Sequence, residues 1–273
     1  MSWKSARRRC AGLLLLFLPL TCGLARAATP DEAKTPILME LFTSEGCSSC
    51  PPIDTWAARL DQFQPIAGAQ LILLSEHVDY WDHDGWKDPF SSAQLTERQT
   101  EYSHMLGLSD VYTPQVIVDG DEELHPWKTD EVKASLDKAA RTPAMAVRID
   151  GAAAGAGELT GNVEADGVGE KHGADVFVAV ALNQTETDVL AGENNGKKLT
   201  NVAVVKALVK IGKLEKGKNF DQPFKVKLWP DADPANLRVV AFVQESGPGK
   251  VLGAAVTKEI AKGQQAERDS KTK

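Results

Sequence analysis

Cysteine is scarce in this chain of 273 residues, which has four. Cys10 and Cys22 fall in the N-terminal segment, so Cys47 and Cys50 have only each other to pair with in the rest of the chain. No second cysteine pair and no closely spaced histidine pair exists to complete a four-ligand zinc site. Basic residues are outnumbered: 31 Lys and Arg face 38 Asp and Glu, for a formal charge of −7. Nucleic acid calls for basic patches, so this balance argues against it, and it disfavours anionic membrane surfaces as well. There is no tandem repeat, and the apolar run Ala11 to Leu20 is too short to stay as a membrane anchor.

That run belongs to a targeting segment. Lys4, Arg7, Arg8 and Arg9 form a positive start, and Ala25-Arg26-Ala27 supplies a small-x-small cleavage signal. Residues 1–27 are expected to be a signal peptide, with the mature chain beginning at Ala28. Leu20 and Thr21 fit a lipobox at Cys22 poorly, and the residues after the paired arginines match twin-arginine export weakly. The expected location is periplasmic or secreted, with no membrane anchor after cleavage. Losing the segment's five basic residues takes the formal charge from −7 to −12.

What is present centres on Thr43-Ser44-Glu45-Gly46-Cys47-Ser48-Ser49-Cys50-Pro51-Pro52. It follows the apolar run Ile37–Phe42 and precedes a helical pattern in which Ile53, Trp56, Ala57, Leu60 and Phe63 share one face. Two cysteines spaced Cys-x-x-Cys therefore sit at a strand-to-helix junction. There, unpaired N–H groups and the helix dipole favour a thiolate. Prolines 51 and 52 fit only near a helix start. The placement reads as a redox site. Two other readings stay open: an inert structural disulfide, and a copper site shared with a distant histidine.

Beyond the first helix, Leu71 to Asp79 reads as a buried strand, and Tyr80 to Phe90 as a loop crowded with aromatics and acids. A helix is expected from Ala93 to Met105, stopped by Gly107. A strand then opens near Thr113-Pro114 and ends in the hairpin dipeptide Asp119-Gly120, before a helix to Ala140. Two parallel strands joined by a helix, then an antiparallel pair and a helix, spell a thioredoxin-like α/β domain over 28–142. In that element order the Thr113–Pro114 bond is expected to be cis.

The stretches Phe42–Pro52, His77–Asp82, Gly85–Phe90, Arg98-Gln99 and Tyr112–Gln115 together resemble one secreted thioredoxin-like family, domain of unknown function 1223. The resemblance is densest over 36–142 and implies a thioredoxin-like fold with a thiol–disulfide role. Glu45-Gly46 before Cys47, where thioredoxins carry an aromatic, and Ser-Ser between the cysteines depart from ordinary thioredoxins.

After Pro143 a Gly/Ala-rich stretch and short β-like runs take over: Met145–Ile149, Leu159–Glu164, Val176–Leu182, Phe224–Trp229, Leu237–Gln244 and Val251–Thr257. Val202–Val209 is ambiguous between strand and helix. An all-β sandwich-like domain with its own core is expected over 143–262, followed by a disordered polar tail over 263–273. His172 lies in a polar turn, and this half is assigned no chemistry.

The reading is an exported thiol–disulfide oxidoreductase that exchanges the Cys47–Cys50 disulfide with a thiol- or disulfide-bearing protein. Cys47, nearer the helix start and more exposed, attacks with a pKa below the free value of about 8.5, and Cys50 resolves. Thr113 and Pro114 present backbone to an extended substrate, with Trp81 beside them. His77 and Asp79 read as a hydrogen-bonded pair at a strand end or as a proton relay. No cofactor or metal is expected. The rivals are a copper-binding protein or metallochaperone using Cys47, Cys50 and His77, and a non-catalytic adaptor with a structural disulfide.

Overall fold

The computed structural model describes Met1 and residues 34–167 and 173–263. The expected signal peptide beyond Met1, His172 and the tail past Gly263 lie outside the described residues. Among those described, no helix is long and apolar enough to cross a membrane.

β1 (Thr35–Thr43) and β2 (Ala69–His77) lie parallel, from Thr35 opposite Ala69 to Thr43 opposite His77, and α1 (Cys50–Phe63) connects them. α2 (Ala93–Leu106) follows and stops at Gly107, whose left-handed φ of 67° suits a residue without a Cβ. β3 (Gln115–Val118) returns antiparallel to β1, β4 (Glu122–Leu124) pairs antiparallel with β3, and α3 (Thr129–Ala140) closes this part of the chain.

The strands alternate, so each face has its own cover. Ile37, Met39, Leu41, Leu71 and Leu73 pack under Ala57 of α1 and Val132 and Leu136 of α3. Leu38, Ile72 and Leu74 point the other way, toward Leu95 of α2.

The rest of the chain supplies β5 (Val147–Gly155), β6 (Glu158–Ala165), β7 (Ala174–Asp188), β8 (Lys198–Leu214), β9 (Phe220–Lys227), β10 (Leu237–Glu245), β11 (Val251–Thr257) and β12 (Ala261–Lys262). The ambiguous 202–209 stretch is strand, inside β8. Much of the Gly/Ala-rich stretch is strand too, turning at Ala156 and Gly157, where φ is 53° and 75°.

These strands do not all stay together. β12, β5, β6 and β9 form a four-stranded sheet, whereas β7, β8, β10 and β11 extend the first sheet to eight strands in the order β11-β10-β7-β8-β2-β1-β3-β4. The join is one parallel step, Ser75 beside Val204.

Val176, Val178 and Val180 of β7 face Leu159, Val163, Phe224 and Val226 of the small sheet, as in a sandwich. The intervening Ala179 and Ala181 face the other way, into a core with Leu38, Ile72, Leu74, Leu95, Val240 and Phe242. Burial on both faces is why this strand reads as an unbroken apolar run. It also corrects the expectation of separate cores: the break at 142/143 is a change of composition, and one core cluster draws on residues from both sides of it.

A polar cluster ties the two stretches together as well. Arg98 Nε donates to Glu40 Oε1 at 2.6 Å, and its Nη2 donates to Tyr102 Oη at 2.9 Å and Gln244 Oε1 at 3.2 Å. Tyr102 Oη in turn donates to Glu40 Oε2 at 2.5 Å. Glu76, fully buried, lies 3.7 Å from Arg98 Nε and neither of its oxygens has a hydrogen-bond partner. Burial first, then the charge of Glu40, holds the Glu76 carboxyl well above the usual carboxylate range.

One part of the large sheet outruns its neighbours. β10 stops pairing with β7 at Leu182, but β7 and β8 stay paired as far as Asp188 and Lys198. Six residues of two-stranded ribbon project beyond that point, a reach of about 20 Å.

Candidate functional site

Cys47 and Cys50 are joined in a disulfide, with Cα atoms 5.5 Å apart. Only Cys50 belongs to the helix, as its first residue; Cys47 sits in a preceding turn held by its N–H to Ser44 O at 3.2 Å. The expectation that Cys47 is the more exposed sulfur does not hold: both cysteines are fully buried, while Ser48 and Ser49 between them are exposed.

The Thr113–Pro114 peptide is cis, as expected. Thr113 O lies 3.8 Å from Cys47 Sγ and 3.5 Å from Ser49 Oγ, and Trp81 Nε1 donates to Thr113 Oγ1 at 2.7 Å. Trp81 also lies under Gly46, where an added Cβ would come within 3.1 Å of the Trp81 Cβ. Cys47, Thr113, Pro114 and Trp81 are thus brought to one place from three parts of the chain.

His77 is not paired with Asp79. Its Nδ1 meets Asp88 Oδ2 at 2.7 Å, with both side chains buried, and its Nε2 is buried with no partner. Asp79 instead accepts from the Thr96 hydroxyl at 2.6 Å, at the start of α2. The reason is local: β2 ends at His77, so the alternation that would put residues 77 and 79 on one face stops there.

Burial alone would lower the His77 pKa, but the carboxylates of Asp88, Asp54 and Glu45 together raise it. Burial pushes Asp88 up, yet His77 and the N–H groups of Glu45 and Phe90 outweigh it and hold Asp88 below its ordinary value. The two shifts agree on an imidazolium–carboxylate pair.

Several more residues complete the site, of which only Glu45 stands out in the sequence. Glu45 is buried, with its N–H donated to Asp88 Oδ2 at 2.8 Å and its carboxylate accepting from Trp86 Nε1 at 3.1 Å and Asn201 Nδ2 at 3.2 Å. Burial, and then the Asp88 charge, raises its pKa. Asn194 and Glu193, from the turn between β7 and β8, also reach the Cys-x-x-Cys segment. The stretch expected to carry no chemistry therefore supplies part of the wall. Its only signal in the sequence is Gly192-Glu193-Asn194-Asn195-Gly196, which reads as a plain turn.

Asp54 stands one turn beyond Cys50 and accepts from Thr43 Oγ1 at 2.8 Å; burial pushes its pKa up to about 6 from 3.8. A raised carboxyl pKa means that folding takes up a proton, so ionised Asp54 costs stability above about pH 6, and the cost disappears below about pH 4. Asp54→Asn keeps an acceptor for Thr43. It is expected to stabilise the protein by about 1–3 kcal/mol at pH 8 and by nothing at pH 4. Thermal melts at the two pH values check this; an equal gain at both would point to packing instead of charge.

The copper reading needs Cys47, Cys50 and His77 to converge. Among the described residues no group of three His, Cys, Asp or Glu side chains is placed to hold a metal ion.

A mixed sheet carrying a Cys-x-x-Cys disulfide at a helix start, backed by a buried His–Asp pair, defines an α/β disulfide-bearing protein. More particularly, the chain belongs to the family described as protein of unknown function DUF1223, whose profile matches residues 38–244. A crystal structure of a structural-genomics target from Agrobacterium tumefaciens is similar to it, with 27% identity and a TM-score of 0.65 over 82% of this chain and 94% of that one. A domain of the outer membrane lipoprotein Omp28 from Porphyromonas gingivalis aligns with 43% of this chain and 88% of its own, at 12% identity and a TM-score of 0.27. No protein of curated function matches the sequence.

Proposed function

We propose that the chain is an exported thiol–disulfide oxidoreductase whose thioredoxin-like first half exchanges the Cys47–Cys50 disulfide with a protein partner. The observation that carries the reading is the disulfide itself, set where the first turn of α1 meets the Thr113–Pro114 segment.

In the reducing direction, the Cys47 thiolate attacks one sulfur of a partner's disulfide. A Cys47–partner S–S bond forms, and the partner's other sulfur leaves as thiolate. Cys50 passes its proton to Asp54, which shares its helix face one turn on, and attacks Cys47 Sγ. The Cys47–Cys50 bond forms, the mixed bond breaks and the second partner thiolate leaves. Two electrons have then moved to the partner; the reverse sequence oxidises a dithiol. The Ser49 hydroxyl, 3.3 Å from Cys47 Sγ, is the nearest donor to the attacking sulfur. The His77–Asp88 pair anchors the segment through the bond that Glu45 N–H donates to Asp88.

The test is the reduction potential of the pair, by equilibration in glutathione buffers. A value between about −120 and −270 mV is expected, as for exchange-active pairs, while one below about −300 mV marks a structural bridge and sinks the reading.

A further inference from the structure

Exchange requires an incoming sulfur to reach one of the two sulfurs of the disulfide, and its rate depends on that access. Here neither Cys47 nor Cys50 has exposed surface. The far end of the β7–β8 ribbon is fastened to the backbone of the segment that carries them.

The turn over residues 189–197 is closed on itself by Val189 N to Lys197 O at 2.9 Å and Gly196 N to Val189 O at 2.8 Å. From it Asn194, fully buried, donates from Nδ2 to Glu45 O at 2.8 Å and Cys47 O at 2.9 Å, while Lys197 Nζ holds its Oδ1 at 2.8 Å. The Glu193 carboxylate accepts from Ser48 N at 3.1 Å. Gly192, at φ +71°, lies against the aromatic loop so closely that a Cβ there would come 3.0 Å from Trp86 Cβ.

These attachments are polar and few. Val189 is buried, but Leu190, next along the turn, is 75% exposed. Each hydrogen bond contributes a net of about 0.5–1.5 kcal/mol, and a two-stranded ribbon outside its sheet is marginal alone. Such a segment opens far more cheaply than the fold as a whole.

We propose that the 189–197 turn is a cap over the Cys47–Cys50 disulfide, latched by Asn194, and that its opening decides which thiols reach the sulfur. The inference rests on the redox reading above. When the cap lifts, Asn194 releases the carbonyls of Glu45 and Cys47, two acceptors beside the sulfur. The partner that fits is an extended protein segment around a cysteine, whose backbone N–H groups take the place of the Asn194 amide. A small thiol makes no such replacement and gains less from the opening.

The experiment uses the full oxidised protein as wild type, Asn194→Ala, Gly192→Val and, as control, Leu190→Ala on the exposed side of the same turn. Reduction of the disulfide is timed with dithiothreitol and with a reduced protein dithiol, thioredoxin, and melting curves are recorded alongside. Asn194→Ala removes the latch, and Gly192→Val pushes the cap off Trp86 while leaving Asn194 intact. Both are expected to accelerate reduction by thioredoxin at least tenfold and by dithiothreitol less, with Leu190→Ala unchanged. If the wild type exchanges readily and both variants stay within twofold of it, the cap is overturned and the redox reading stands. A disulfide that stays inert in every variant, with melting curves showing native folds, overturns both.

Discussion

Cys47→Ser is expected to abolish thiol–disulfide exchange, by at least about a thousandfold, because the attacking thiol is gone and Cys50, set inside the helix as the resolving thiol, has no mixed disulfide to resolve. Cys50→Ser gives a different result: Cys47 still attacks, but nothing resolves the product, so a covalent complex with the partner accumulates. Mass spectrometry of an alkylated reaction mixture separates the two, since only Cys50→Ser carries partner mass. If Cys47→Ser forms the complex and Cys50→Ser does not, the roles are reversed. Burial of both sulfurs gives that reversal a physical basis, because exposure does not favour Cys47 as expected. What does favour it is the Ser49 hydroxyl at 3.3 Å and the turn that holds Cys47 outside the helix.

Arg98→Met is expected to cost about 3–5 kcal/mol at pH 7.5, since it strands buried carboxylates without their cation. The loss should shrink on acidification. Arg98 is the one charge that holds the Glu76 carboxyl down against burial and the charge of Glu40; with it gone, Glu76 rises further in the folded protein, so folding takes up a proton and the variant gains on wild type as pH falls toward about 4.5. Adding Glu40→Gln should restore most of the stability at pH 7.5. Urea denaturation at pH 7.5 and pH 5 reads both effects. A loss of the same size at both pH values, with no rescue by Glu40→Gln, would assign the damage to the lost stacking of Arg98 on Tyr102 and Phe242, whose ring centroids lie 4.9 and 5.4 Å from the guanidinium carbon.

The first half of the chain was legible because its apolar pattern changes period where the elements change. Ile37–Phe42 and Leu71–Leu74 read as buried strands, and the 53–63 face reads as a helix. Gly107 stops α2 where expected. The site was half legible. Residues close in sequence to the cysteines or flagged by Thr113-Pro114 came out together, but the partner of His77 is Asp88, which the sequence did not single out, and not Asp79. Two residues of separation looked like a shared strand face, and the strand ended first.

The ribbon was illegible for a subtler reason. Asn183, Thr185 and Thr187 point inward while Gln184, Glu186 and Asp188 are exposed. Because the surface they cover is itself polar, the inner face lacks the apolar residues by which a strand is recognised. A run of Asn, Gln, Thr, Glu and Asp looks like a separator between strands. The independent core expected after Pro143 failed similarly: the composition did change there, but β-like runs cannot say which sheet each will join.

The cover over the disulfide also has a place in time. Cys47 leaves the ribosome 147 residues ahead of Asn194, which at ordinary elongation rates is about 7–30 s. The two cysteines need only a four-residue loop to find each other, whereas the cap needs β7 and β8 paired and seated beside β2. If the proposed cap acts as described, newly made chain is expected to offer its cysteines bare until the ribbon is seated, and to become selective only then. A chain cut short before β8 is expected to keep its thiols without the cap, and to exchange them with a protein disulfide faster than the full-length chain does.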